Sequence, residues 1–213
     1  MTDSDLSRAA EEHFERGVSF DENGYEERAI SEWQQAIELD PDHIGSHYNL
    51  GIAYADEGQT ELSIAELRTV LRLDPFDTDA RHELAEIYLE AERYDDAIDQ
   101  LRQILNIAPG DGQAAHELAR LYLDRDMIDQ AAGALEAGAM LEEDADLWVR
   151  LGEAYERDQR RDDAILAFRR ALVAFPEHRE AARALQLLHV PLEEPPDPDD
   201  EGEVDDANEE SQE

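Results

Sequence analysis

Proline recurs in this chain at a fixed interval. Pro41, Pro75 and Pro109 are each 34 residues apart, and Pro176 follows 67 residues later, two periods less one residue. A period of about 20–50 residues means that one supersecondary unit is stacked repeatedly, because a single unit cannot bury its apolar face alone. Aligned on these prolines, the chain divides into an N-terminal extension, 1–9, and repeats 10–43, 44–77, 78–111, 112–144 and 145–178. The fourth repeat is one residue short and has Glu143 where its proline should be.

Other columns of the alignment agree. Column 7 reads Arg16, Leu50, Leu84, Leu118, Leu151; column 8 reads Gly17, Gly51, Ala85, Ala119, Gly152; column 11 reads Phe20, Tyr54, Tyr88, Tyr122, Tyr155. Column 20 reads Ala29, Ser63, Ala97, Ala131, Ala164, and column 24 reads Trp33, Leu67, Leu101, Leu135, Phe168. Columns 4, 7, 8 and 11 lie three or four apart and form one stripe of a first helix; columns 20, 24 and 27 do the same for a second. Small residues at columns 8 and 20 let the paired helices approach, and bulky ones at 11 and 24 fill the space beside them. Proline at column 32 stops the second helix. Gly24 and Gly58 mark the turn between helices, where Glu92, Asp126 and Gln159 stand in later repeats.

This pattern resembles the tetratricopeptide repeat family, whose 34-residue unit is a helix–turn–helix. The resemblance covers 10–178, about four fifths of the chain. It implies an all-α, right-handed superhelical solenoid of five helix pairs. Residues 179–190 follow as a capping helix, with Ala182, Leu185 and Leu188 over the open end and Arg183 and Gln186 in water. Residues 191–213 hold twelve acids, four prolines and no base. They read as a disordered acidic tail, since so polar a segment cannot offset its ordering entropy.

The resemblance also implies a concave groove lined by first helices, which binds a protein or peptide segment. Carried onto this sequence, the groove residues are Phe14, Val18, Tyr48, Asn49, Ile52, His82, Glu86, His116, Arg120, Arg150, Glu153 and Arg157. The expected groove is bipolar, apolar and ringed by acids at its start, with Arg120, Arg150 and Arg157 at its end. Some family members clamp a partner's terminal carboxylates with lysines and asparagines. Here Asn49 is a lone echo and Glu15 opposes it, so that clamp is not carried over.

Charge narrows the partners. The chain has 56 Asp+Glu and 18 basic residues, all Arg, for a net charge of −38. Residues 1–144 carry −26, whereas 145–190 are neutral. Such a surface repels phosphates and argues against nucleic acid as a direct partner. Arg150, Arg157, Arg160, Arg161, Arg169 and Arg170 cluster in the fifth repeat, and the acidic tail is expected to visit them. The chain has no Cys, hence no disulfide framework or thiolate ligand. Met1–Asp5 lacks the basic-then-apolar layout of a signal peptide, and no run is apolar enough to span a membrane. A cytoplasmic location is the expectation.

No Gly-rich phosphate loop or nucleophile elbow occurs. His43 and His47 are spaced to share a helix face, but two ligands are too few for a metal site. Asp197–Gly202 has a faint calcium-loop pattern, with Asn208 where the closing Glu should be. The function read from the sequence is therefore a non-catalytic interaction scaffold without metal or cofactor, and self-association is the alternative. A second-helix weak joint is expected in the fourth repeat, where Gly133 and Gly138 interrupt the helix.

Two readings fit the absence of Lys beside so many acids: a salt-adapted cytoplasm, where acidic surfaces stay soluble, or a GC-rich genome that favours Arg codons. Like-charge repulsion should weaken the fold in dilute buffer and relax as the Debye length shrinks. The melting temperature should therefore climb as salt is raised toward the molar range. A flat or falling curve removes the salt-adaptation reading.

Overall fold

In a computed structural model, residues 2–138 and 145–190 are described. Eleven α-helices follow one another and no strand occurs among the described residues: α1 (Asp3–Glu22), α2 (Glu26–Leu39), α3 (Ile44–Asp56), α4 (Thr60–Leu73), α5 (Thr78–Glu90), α6 (Tyr94–Ile107), α7 (Gly112–Leu123), α8 (Ile128–Gly138), α9 (Ala145–Arg157), α10 (Arg161–Ala174) and α11 (Arg179–Leu187). Odd-numbered helices are the first helices of each pair. Each packs on its own second helix, and each second helix packs on the next first helix. The core is accordingly a ribbon along the stack. The expectations placed on 191–213, the calcium-like pattern among them, and on Glu143 fall outside the described residues.

The columns occupy the places that their residue types suggest. Leu50, Leu84, Leu118 and Leu151 are buried, as are Ala29, Ser63, Ala97, Ala131 and Ala164 and the column 24 residues Trp33, Leu67, Leu101, Leu135 and Phe168. Arg16, the departure at column 7, lies at the exposed start of the stack and bonds Glu32 at 2.9 Å. A Cβ placed on Gly17 would sit 2.4 Å from the Trp33 ring, and one on Gly152 would sit 2.5 Å from Phe168. These glycines are therefore required by close approach, because the large aromatic opposite uses the space.

Helix ends repeat as faithfully. Gly24, Glu92, Asp126 and Gln159 have φ of 73°, 57°, 54° and 58°, the left-handed conformation that closes a helix. One residue later the amide turns back onto column 11: Tyr25 N to Phe20 O at 2.9 Å, Arg93 N to Tyr88 O at 2.7 Å, Arg160 N to Tyr155 O at 2.9 Å. α11 ends in the same way, with His189 at φ 54° and Val190 N on Leu185 O. The terminal helix is thus a first helix cut one turn short. Second helices end two residues before their prolines, at Leu39, Leu73, Ile107 and Ala174.

First helices start on column 34. Asp77 and Asp111 accept the Ala80 and Ala114 amides at 2.8 Å. His43 and His178 do the same through imidazole Nδ1, at 3.1 and 3.3 Å, and turn Nε2 back to Glu11 and Asp146 on the first helix of their own repeat. α1 begins at Asp3, capped by Thr2 and Asp5, so 3–9 continues the first helix instead of forming a separate extension. At the other end Ala181 and Leu185 are buried while Arg183 and Gln186 are exposed, and Ala182 and Leu188 are half-buried.

Gly133 in the fourth repeat has no packing reason, and the surroundings of Gly138 fall outside the description. A Cβ on Gly133 would meet nothing within 4 Å. The same substitution should therefore have opposite signs at two sites. Gly133→Ala should raise stability by about 1 kcal/mol, the helix-propensity difference. Gly152→Ala should lower it by about 1–3 kcal/mol through overpacking against Phe168. Urea midpoints of the two variants check this; equal shifts would mean that column 8 is not a packing constraint.

Candidate functional site

First helices α3, α5 and α7 present two adjoining clefts of about 330 Å³ each. The first lies between α3 and α5 and is lined by Ile52, Ala55, Asp56, Glu83, Glu86, Ile87 and Glu90. The second lies between α5 and α7 and is lined by His82, Ala85, Glu86, Leu89, Gln113, Glu117 and Arg120, with Leu101 of α6 at its base. Glu86 borders both. Helical spacing explains the arrangement: columns 9, 12 and 13 of α3 face columns 6, 9, 10 and 13 of α5, one stripe against the next.

The sequence-predicted residues separate into three groups. Ile52, His82, Glu86 and Arg120 do line the clefts. Tyr48 reaches the first, its hydroxyl 3.4 Å from Glu83 Oε1. Burial, then the nearby Glu83 and Asp79 charges, push the Tyr48 phenol up to about 12. Phe14 and Val18 instead pack around Trp33, Ala29 and Leu50, and Asn49 is half-buried outside both clefts. Arg150, Glu153, Arg157 and His116 line neither.

The arginines expected at the end of the groove are spent within the chain. Arg120 holds Glu117 at 2.7 Å and Asp124 at 3.5 Å, Arg150 holds Asp124 at 2.6 Å, and Arg157 holds Asp126 at 3.2 Å. His116 Nδ1 is 3.6 Å from Glu117. The expected cationic end is therefore neutralised by local acids. Sequence reasoning missed Glu83, Glu117 and Asp56, although Asn49 and Arg150 share column 6 with the first two and Arg157 shares column 13 with the third; the same column lines a cleft in one repeat and not in another.

His82 shows how the groove wall is held. Its Nε2 lies 2.9 Å from Asp111, whose other oxygen caps α7. Burial works against the Asp111 carboxylate, but the Ala114 amide and His82 outweigh it and keep its pKa below the ordinary value. Histidines outside the groove brace helix pairs. His47 is buried with Nδ1 2.6 Å from Glu66 and Nε2 3.0 Å from the Pro41 carbonyl. His13 meets Glu32 at 2.8 Å one repeat earlier. His43 and His47 therefore serve different partners, a helix cap and a carboxylate, and do not converge as a metal pair.

Four family models match overlapping stretches of the chain: two described as tetratricopeptide repeat over 48–112 and 88–148, one as TPR repeat over 20–58, and another tetratricopeptide repeat over 145–188. The chain belongs to the tetratricopeptide repeat family, and its architecture is that of a protein-interaction scaffold. Its fold is shared with a solved MamA protein at 21% identity and TM-score 0.65, covering 87% of this chain and 98% of that one. It is shared too with YrrB, described as a TPR protein with an unusual peptide-binding site, at 20% identity and TM-score 0.64 over 85% and 97%. MamA from Desulfovibrio magneticus RS-1 matches at 19% and 0.61 over 80% and 97%. No curated protein matches the chain by sequence. Among the described residues no helix is long and apolar enough to cross a membrane.

His47 sets a pH dependence. The Glu66 hydrogen bond, followed by the Pro41 carbonyl, raises its pKa above the ordinary 6.5 against the opposing effect of burial. A raised folded-state pKa contributes stability that is complete below 6.5 and is lost as pH rises through the folded value. The urea midpoint should thus fall across that window, and His47→Gln should flatten the slope. An unchanged slope in the variant would assign the dependence to other histidines.

Proposed function

We propose that the chain is a non-catalytic scaffold that holds a segment of a partner protein against α3, α5 and α7. The observation that carries this reading is the pair of contiguous clefts, which share Glu86 and together offer an elongated surface with apolar patches at Ile52, Ala55, Ile87 and Leu89. An elongated cleft with alternating apolar and polar lining suits an extended or helical segment more than a small molecule. YrrB, which shares the fold, is described by its peptide-binding site, and that supports the same use here. Within this reading Ile52, His82, Glu86 and Arg120 contact the segment, and Tyr48 steadies the rim through Glu83.

A second reading is self-association, and a specific surface supports it. Leu166 and Val173 are 55% and 71% exposed on one face of α10. The same columns carry Ser31 and Glu38, Ala65 and Arg72, and Asp99 and Asn106 in the first three repeats. Leu187 adds apolar surface on the neighbouring α11. This end of the stack, where α11 has no second helix among the described residues, is the surface that a second copy would cover.

A photocrosslinking amino acid in place of Gln113 should separate the readings in native lysate, with the same residue in place of Asp99 on α6 as the reference. Groove binding predicts a foreign protein joined at 113 and not at 99. Adducts between copies of the chain at neither position, together with a concentration-dependent mass that Val173→Asp abolishes, would favour self-association instead.

A further inference from the structure

Charge along the groove is unevenly compensated. In the α7–α9 region every groove arginine has an acid, and Glu117, Asp124 and Asp126 have arginines, while Glu153 stands alone among the described residues. In the α3–α5 cleft the balance differs. Asp56, Glu86 and Glu90 have no ion pair or hydrogen bond among the described residues, and Glu83 has the Tyr48 hydroxyl alone. Four carboxylates thus border one cleft whose floor is the buried Ile87, with Ile52 and Ala55 beside it.

Such crowding is unfavourable in the free protein. Burial, followed by the charge of Glu86, holds the Glu83 carboxyl above its ordinary range. A cation in the cleft would reverse that cost. The carboxylates are spread along the cleft instead of pointing at one centre: among the described residues no three His, Asp or Glu side chains are placed to share a metal ion. Point ions are therefore poor occupants. A lysine or arginine side chain suits the geometry better, because its aliphatic stem covers apolar surface while its charged end stays at the rim. An acidic segment finds no bare cation in either cleft, since Arg120 is already held by Glu117 and Asp124.

We propose that the partner segment is cationic: lysine or arginine side chains lie along Ile52 and Ile87 with their charged ends at Asp56, Glu83, Glu86 and Glu90. The proposal rests on the groove reading and gives the partner's chemistry. It also separates local recognition from the general attraction that a chain of net charge −38 exerts on any cation.

The test uses the full chain and three acetylated, amidated nine-residue peptides that alternate Leu with Arg, Gln or Glu. Affinity is measured at physiological salt for the wild type and for two variants that lose the same charge. One is Glu83→Gln, Glu86→Gln, Glu90→Gln in the cleft. The other is Glu26→Gln, Asp99→Asn, Glu136→Gln on second helices, with circular dichroism as the check that both remain folded. The Arg peptide should bind the wild type, weaken about tenfold or more in the cleft variant, as three partly screened ion pairs acting together imply, and change about twofold or less in the other. Equal weakening in both variants, no binding of the Arg peptide, or equal binding of the Gln or Glu peptide overturns the proposal. If the Arg peptide fails while the crosslinker at 113 still captures a foreign protein, the cationic preference is wrong and the groove reading stands. Failure of both removes the groove reading too.

Discussion

Everything in this fold depends on how closely two helices of one repeat can approach. Column 8 of the first helix meets column 24 of the second, and their sizes compensate. Gly17 faces Trp33 and Gly152 faces Phe168, where a Cβ would sit at 2.4 and 2.5 Å from the ring. Ala85 and Ala119 occupy the same column where the opposite residue is the smaller Leu101 or Leu135, while Gly51 stands against a leucine too, with Leu67 2.7 Å from where its Cβ would lie. Close packing of interiors leaves no slack for both members of a pair to be large. The distance set at this contact places the first helices side by side, and the groove is the surface that results.

Stacking is governed by different forces. Each repeat touches its neighbours and little else, so stability is a sum of units and interfaces. Arginine bridges many of those interfaces. Arg72 reaches Asp42, Arg93 reaches Glu61, Arg125 reaches Asp95, Arg150 reaches Asp124, Arg157 reaches Asp126 and Arg160 reaches Asp129, each an acid of the preceding repeat. Exposed pairs of this kind contribute little individually. Their effect here is directional: they spend the scarce positive charge on joints between repeats. What they leave over is acid, and in the α3–α5 cleft that charge has no cation beside it among the described residues.

The charge pattern of the groove is consequently a tertiary property. Arginine at columns 6, 9 and 13 of the last repeats looks like a carboxylate receptor when read along the chain. Folding brings Asp124 between Arg120 and Arg150, and the receptor disappears. Glu83 and Asp56 are ordinary surface acids in sequence. They acquire a role because α3 and α5 lie side by side and because Ile87 forms a floor between them.

By itself the sequence determined the repeat, the helix pairs, the burial of columns 20 and 24 and of the column 7 leucines, the turn between paired helices and the stop before each proline. These follow from periodicity and backbone stereochemistry, which act over a few residues and are therefore written locally. His189 took the same left-handed turn without a glycine to announce it, and Thr2 capped a helix that began seven residues before the first repeat. Those details depend on hydrogen bonds that composition does not reveal. Only the tertiary structure decided that Phe14 and Val18 belong to the core around Trp33, that the arginines of the groove are paired, and that four acids of α3 and α5 are not. The reason is physical: ion pairing and desolvation depend on distances between separate helices, and no spacing along one chain encodes those distances directly.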